Sequence, residues 1–190
     1  MTDKDLVDKF LKGDNLALKE LVDKYTNVLY GFIRRFGFSE DDTVDLLQDI
    51  FIKVWKYAQK FDALKSSFKT WLFTIARNTI YDNLRKKKRE ADVKVFDNNN
   101  DDTVSEFKDE SQDVLAILNK IEDKKLLNYL IDKLSVDYKT VVLLHLEEDL
   151  TFKEIGEVLD KPLDTVKSQY RRALVRLKKE AENLNQNNKQ

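Results

Sequence analysis

Near the C-terminal end the chain reads LTFKEIGEVLDKPLDTVKSQYRRALVRL, from Leu150 to Leu177, a segment whose cations are spaced to grip a polyanion. Ile155, Val158 and Leu159 recur at helical spacing in its first part, and Val166, Tyr170, Ala173, Leu174 and Leu177 do so in the second. The spacing therefore predicts two short helices around a tight turn. With that apolar stripe turned inward, Thr165, Ser168, Gln169 and Arg172 share the outward face near the start of the second helix. Side chains of these types in that place can hydrogen-bond base edges in a major groove. Lys167, Arg171 and Arg176 flank the stripe and suit phosphate oxygens. A plain solvated helix pair would carry the same amphipathy, but the turn chemistry favours a helix-turn-helix. Pro162, the only proline of the chain, falls near the start of the second helix, where its missing N–H costs little. Asp160 stands where a helix end usually takes glycine, and Asp tolerates a left-handed backbone. Asp160 and Asp164 also put negative charge beside the stripe, which weakens attraction to phosphate.

A second cluster lies upstream. Arg85, Lys86, Lys87, Lys88 and Arg89 form an unbroken basic block. Before it, Phe61, Phe68, Trp71, Phe73 and Tyr81 gather in and after a loop, and Arg77, Asn78, Tyr81 and Arg85 share one helical stripe. Rings stack on unstacked bases while cations hold the backbone, so this pattern suits single-stranded nucleic acid. Most of the rings should nevertheless be core, with one or two exposed.

The elements that position these residues are all helical. Four glycines and one proline in 190 residues, amid abundant Leu, Lys, Asp and Glu, predict an all-α protein of two small helical domains. The net charge of −1 does not itself suggest nucleic acid; the clustering of the basic residues does. With no cysteine and one histidine, there is no disulfide framework or thiolate metal site, and His145 reads as a packed or partly exposed helix residue. No glycine-rich phosphate loop and no convergent catalytic cluster are present, so the reading is a non-enzyme without cofactor or metal. No apolar run is long enough to span a bilayer and the first residues are charged, which predicts a soluble, intracellular protein with no membrane insertion.

Residues 1–90 read as a first domain of four helices. The second helix runs from about Leu16 to Phe36. The third, about Thr43 to Gln59, turns Leu47, Ile50, Phe51, Val54 and Ala58 inward and leaves Asp45, Gln48, Asp49, Lys53 and Lys56 outside. The fourth starts at Ser67, a plausible N-cap. Residues 91–113 are acidic and Asn-containing, the composition of a flexible linker. A helical domain over 114–184 follows, with an extra helix near Val114 to Lys124, and residues 185–190 read as a disordered tail.

The segments DLLQDIFIKVW, from Asp45, and SFKTWLFTIARNTIYDNLRKKKR, from Ser67, resemble region 2 of the extracytoplasmic-function sigma factors of bacterial RNA polymerase. The helix-turn-helix resembles their region 4. Two independent motifs in the right order make the resemblance specific, and it covers nearly the whole chain. It implies that the third helix docks on the clamp of core RNA polymerase through Asp45, Gln48, Asp49 and Lys53. It further implies that the loop from Phe61 to Ser67 and the fourth helix, with Phe61, Phe68, Arg77, Asn78, Tyr81, Arg85, Lys86, Lys87, Lys88 and Arg89, recognise and melt the minus-10 promoter element. Thr165, Lys167, Ser168, Gln169, Arg171, Arg172 and Arg176 would read the duplex minus-35 element. An anti-sigma factor is implied as a further partner, and the cytoplasm as the location. The acidic linker is compatible with threading through polymerase toward its RNA path and equally with a solubilising tether. Two other readings stand beside this one: a DNA-binding regulator that acts without polymerase, and a decoy that sequesters an anti-sigma factor.

Overall fold

The structure, a computed structural model, describes residues 1–90 and 124–187, with side chains described as far as residue 184. The element order is α1 (Asp3–Leu11), α2 (Asn15–Arg34), α3 (Glu40–Tyr57), a single 3-10 turn (Ala58–Lys60), α4 (Phe68–Glu90), α5 (Lys124–Asp132), α6 (Val136–Leu146), α7 (Phe152–Leu159) and α8 (Leu163–Asn187), with no strand among the described residues. The linker, the extra helix expected near Val114 to Lys124 and residues 188–190 fall outside the described residues, apart from Lys124, which opens α5. α8 continues to Asn187, three residues past the expected end of its domain.

Short polar residues start the helices by taking up amide hydrogens that the first turn leaves unpaired. Thr2 and Asp5 form a reciprocal capping box on α1, the Asp14 carboxylate accepts from Leu16 N, and Ser39 Oγ accepts from Asp42 N. Ser67 Oγ accepts from Thr70 N at 3.1 Å, the cap expected from the sequence. Thr151 and Glu154 make a second capping box, on α7. Two aspartates take left-handed backbone where glycine is the usual choice: Asp160, the C-cap of α7, and Asp149, in the connection between α6 and α7, both have φ of 53°.

Contacts divide the chain into two units, Met1–Ala91 with Leu150–Lys161, and Asp92–Asp149 with Pro162–Gln190. In the first, Leu29 and Ile33 of α2, Ile50 of α3, and Leu72, Phe73, Ala76 and Ile80 of α4 have no exposed surface and form the centre. Phe32 meets Phe73 edge-on at 5.1 Å. α7 also belongs to this unit and packs on α4. Its buried positions Ile155, Gly156, Val158 and Leu159 wrap a wide arc of a short helix, so it needs apolar cover over much of its circumference. The division therefore falls between the two helices that the sequence placed in one domain of residues 114–184.

In the second unit α6 and α8 pack together, with α5 against α8. Thr140 through Leu144 are all buried, more than a full turn of α6, and the buried stripe of α8 is Val166, Tyr170, Ala173, Leu174 and Leu177, all 5% exposed or less. The apolar stripe read from the sequence is thus the buried one. The single histidine, His145, is half-buried and lies edge-on to Tyr170 at 4.9 Å. Lys139 is 9% exposed, and its ammonium reaches out to Asp132 at 2.9 Å.

Candidate nucleic-acid interface

The loop before α4 is built from its own backbone. Phe61 N donates to Ala58 O at 3.1 Å, Asp62 Oδ1 accepts from Leu64 N at 2.9 Å, and Lys65 N donates to Asp62 O at 3.0 Å. Phe61 is half-buried, 5.7 Å from the Phe68 ring and 5.5 Å from Trp71. Phe68 is 5% exposed and closed in by Tyr25, Phe61 and Trp71, so its expected place among the DNA-facing rings is corrected: it is the core support on which the partly exposed rings rest. A ring that opens a helix directly after a loop cannot be assigned to core or surface without knowing which neighbours cover it. Phe73 is also core.

Along α4 the Arg77 guanidinium lies 4.4 Å from the centre of the Tyr81 ring, and its Nη1 donates to Asn78 Oδ1 at 2.9 Å. Arg77 and Tyr81 are half-buried and Asn78 is exposed, so the stripe is present with its cation already stacked. In the basic block Arg85, Lys86, Lys88 and Arg89 are exposed, with Arg85 3.7 Å from Asp82 and Lys86 3.9 Å from Glu90, loose surface pairs of little energy. Lys87 differs. Its ammonium donates to Asp42 Oδ2 at 2.7 Å and sits 4.7 Å from the Phe38 ring, tying the end of α4 to the start of α3. Hydrogen bonds from Lys87 and then Ser39 hold the Asp42 carboxyl below its ordinary range.

On α3 the expected docking residues part company. Asp45, Gln48 and Asp49 are exposed, whereas Lys53 is half-buried and donates to Thr79 Oγ1 of α4 at 2.9 Å. At 100° per residue, Asp45, Asp49 and Lys53 progress toward α4, while Gln48 lies on the other flank. There it joins Leu18, Val22, Thr26, Val44, Leu47, Phe51, Ile52 and Trp55 around a groove of about 590 Å³ between α2 and α3. Val44, Ile52 and Trp55 are 41%, 47% and 56% exposed. Sequence reasoning put Leu47 and Phe51 in the core and passed over these three. The signal was available: the apolar residues of α3 span more of the helix circumference than the core face needs.

On α8 Thr165 and Arg171 are exposed, and Lys167, Ser168, Gln169, Arg172 and Arg176 are half-buried. Ser168 Oγ donates back to Thr165 O at 2.8 Å. The Arg176 guanidinium lies 4.6 Å from the Tyr138 ring, which makes this cation part of the packing of α6 on α8. Gln169 Oε1 is buried with no hydrogen-bond partner among the described residues. Before α8 the three-residue turn holds Asp160 in the left-handed region with Lys161 N donating to Gly156 O at 3.0 Å, and Val166 N donates to Pro162 O at 3.1 Å. The aspartate replaces the helix-ending glycine at a cost its short polar side chain reduces. Glu154 in the α7 capping box has its carboxyl lowered: partial burial acts upward, and hydrogen bonds from Thr151 and Thr70 with the nearby Lys69 charge together outweigh it.

These surfaces offer cations, stacked rings and hydrogen-bonding side chains, and no group of acidic or imidazole side chains able to hold a metal ion is found among the described residues. A basic, ring-flanked helix followed later in the chain by a helix-turn-helix sequence, with only helices and turns among the described residues, is a build suited to a transcription protein with two DNA-facing surfaces. The Sigma-70 region 2 family model matches residues 21–90, and the Sigma-70 region 4 model matches residues 124–177. The chain is 32% identical over 176 residues to the ECF RNA polymerase sigma-E factor of Haemophilus influenzae, covering 91% of this chain and 92% of that one. It is 30% identical over 181 residues to the ECF RNA polymerase sigma factor SigW of Bacillus subtilis, covering 91% and 93%. In fold it is similar to the sigma factor RpoE of Bartonella quintana, solved in complex with the anti-sigma factor NepR, with a TM-score of 0.63 and 23% identity over 85% of this chain and 94% of that one. The chain belongs to the ECF sigma factors of RNA polymerase, regulatory proteins of transcription initiation.

Proposed function

We propose that this sigma factor binds core RNA polymerase and directs it to a restricted promoter set, where it assists strand opening without catalysing any chemistry of its own. The observation that carries this reading is the occurrence of both sigma regions in one chain, in the family's order. Residues 1–90 are the polymerase and minus-10 module, 91–113 the linker, and 114–184 the minus-35 module. α3 docks on polymerase by its groove flank, where Gln48 adjoins Phe51, Ile52 and Trp55, with Asp45 and Asp49 at the other edge and Lys53 bracing α3 on α4.

Phe61, Arg77, Asn78 and Tyr81 face the melted minus-10 strand, and Arg85, Lys86, Lys88 and Arg89 its phosphates. Strand opening needs no nucleotide hydrolysis in this scheme, because a site that binds extruded bases draws the duplex open as it fills. Thr165, Ser168, Gln169 and Arg172 read minus-35 base edges, flanked by Lys167 and Arg171 on phosphate. An anti-sigma factor is the regulatory partner, and the cytoplasm, where polymerase works, the location. Among the described residues no helix is long and apolar enough to cross a membrane.

The test is co-purification of the chain with core polymerase from its own organism, followed by run-off transcription from a library of promoter fragments. Stable association and new, sequence-selective transcripts are expected. Tight binding to duplex DNA with no polymerase association would replace this reading with that of a stand-alone regulator. Failure of both would favour a decoy.

A further inference from the structure

We propose that Leu64, at the tip of the loop before α4, is a wedge that enters the base stack as the promoter opens; this rests on the reading of that loop and α4 as the minus-10 module. Leu64 is 93% exposed, the most exposed large apolar side chain among the described residues, ahead of Met1 at 71%. A lone exposed leucine is ordinary on a protein surface. What sets this one apart is the stiffness of its mount.

The Asp62 carboxylate accepts from Leu64 N at 2.9 Å, and the Asp62 carbonyl accepts from Lys65 N at 3.0 Å and from Ser66 N at 3.3 Å. Upstream, Phe61 N closes on Ala58 O at 3.1 Å and the Phe61 ring leans on Phe68 and Trp71. Downstream, Ser67 Oγ accepts from Thr70 N at 3.1 Å and begins α4. The loop is therefore anchored at both ends and cross-braced at its apex, yet the apex side chain packs on nothing. A braced tip that holds an aliphatic group in water has it ready to enter an apolar environment without further ordering.

The surroundings indicate which environment. Lys65, next in the chain to the tip, is exposed and its pairing with Asp62 is loose, at 3.5 Å, while the exposed Lys60 before the loop lies over the Tyr57 ring at 4.9 Å. A loosely paired cation adjoining an aliphatic side chain suits a groove edged by phosphates, and Leu is among the side chains that proteins insert between base steps to unstack them. An aliphatic wedge has no donor or acceptor, so it separates bases without reading them. The half-buried rings of Phe61, which opens the loop, and Trp71, in the first turn of α4, are 5.5 Å apart and are the rings to stack on what it frees.

The test uses full-length chain with core polymerase on a promoter recovered from the fragment library, as intact duplex and as the same fragment with a mismatched, pre-opened bubble. For Leu64→Ser, the ratio of duplex to bubble transcription is expected to fall at least tenfold, with a matching loss of 2-aminopurine fluorescence rise at the melted position. Leu64→Met, which restores an apolar group, is expected within threefold of the native ratio. An unchanged ratio for Leu64→Ser, or an equal loss on both templates, overturns the wedge. A native protein inactive on both templates instead removes the minus-10 reading on which the wedge depends.

Discussion

Replacing Trp55 by alanine should damage polymerase binding more than it damages the fold. A tryptophan side chain presents roughly 200 Å² to be buried, and 56% of Trp55 remains exposed in the free chain. Covering that remainder removes about 110 Å² from water, worth roughly 2.8 kcal/mol at about 25 cal/mol per Å². Aromatic anchors of this kind at the centre of an interface commonly dominate it. A loss of about 2–3 kcal/mol corresponds to a roughly 30- to 150-fold rise in Kd. The assay is fluorescence anisotropy of labelled chain titrated with core polymerase, with circular dichroism melting run in parallel. Ile50→Val serves as the opposite case, because Ile50 is fully buried beneath the same helix. It should cost about 1 kcal/mol of stability and leave Kd within twofold. Salt separates apolar docking from charge: the Trp55→Ala defect should persist at high ionic strength, while that of Asp49→Lys should shrink as its field is screened. A Trp55→Ala protein that is folded and binds within threefold of native would refute docking through the groove.

Three further outcomes are expected. Arg171→Ala with Arg172→Ala should abolish dependence on the minus-35 element while polymerase affinity is unchanged, and the salt slope of duplex binding should fall by about one for each phosphate left without its cation. Thr151→Ala removes the oxygen that accepts from Glu154 N and should cost about 1 kcal/mol in thermal or urea unfolding. Burial pushes the Tyr170 hydroxyl up to about 12. The folded state then holds that proton more firmly than the unfolded chain, whose tyrosine titrates near ~10, so stability is intact below that range and falls as pH rises toward 12. Tyr170→Phe should flatten this alkaline decline; an unchanged slope of melting temperature against pH would assign it to other groups.

Local periodicity was enough to find the four helices within residues 1–90 and the two of the helix-turn-helix, the Ser67 cap, the left-handed Asp160 and the buried stripe of α8, because each depends on neighbours within a turn or two of chain; α5 and α6 were foreseen only as part of a mostly helical segment. The same locality accounts for the family resemblance, which rests on contiguous motifs. Side chains whose fate depends on distant partners were not decided in this way. Phe68 is core because Tyr25 lies against it, and Lys87 is a strut because Asp42, 45 residues earlier, meets its ammonium. Lys53 turns from the expected docking stripe to Thr79, and Arg176 stacks on Tyr138. The groove beside α3 depends on how far α2 covers an apolar arc that is visible in the sequence, and that cover is a property of packing. Sequence determined which residues could do chemistry, since type and spacing are written along the chain. Tertiary structure decided which of them are available for it, since desolvation and pairing depend on what lies across the space between helices.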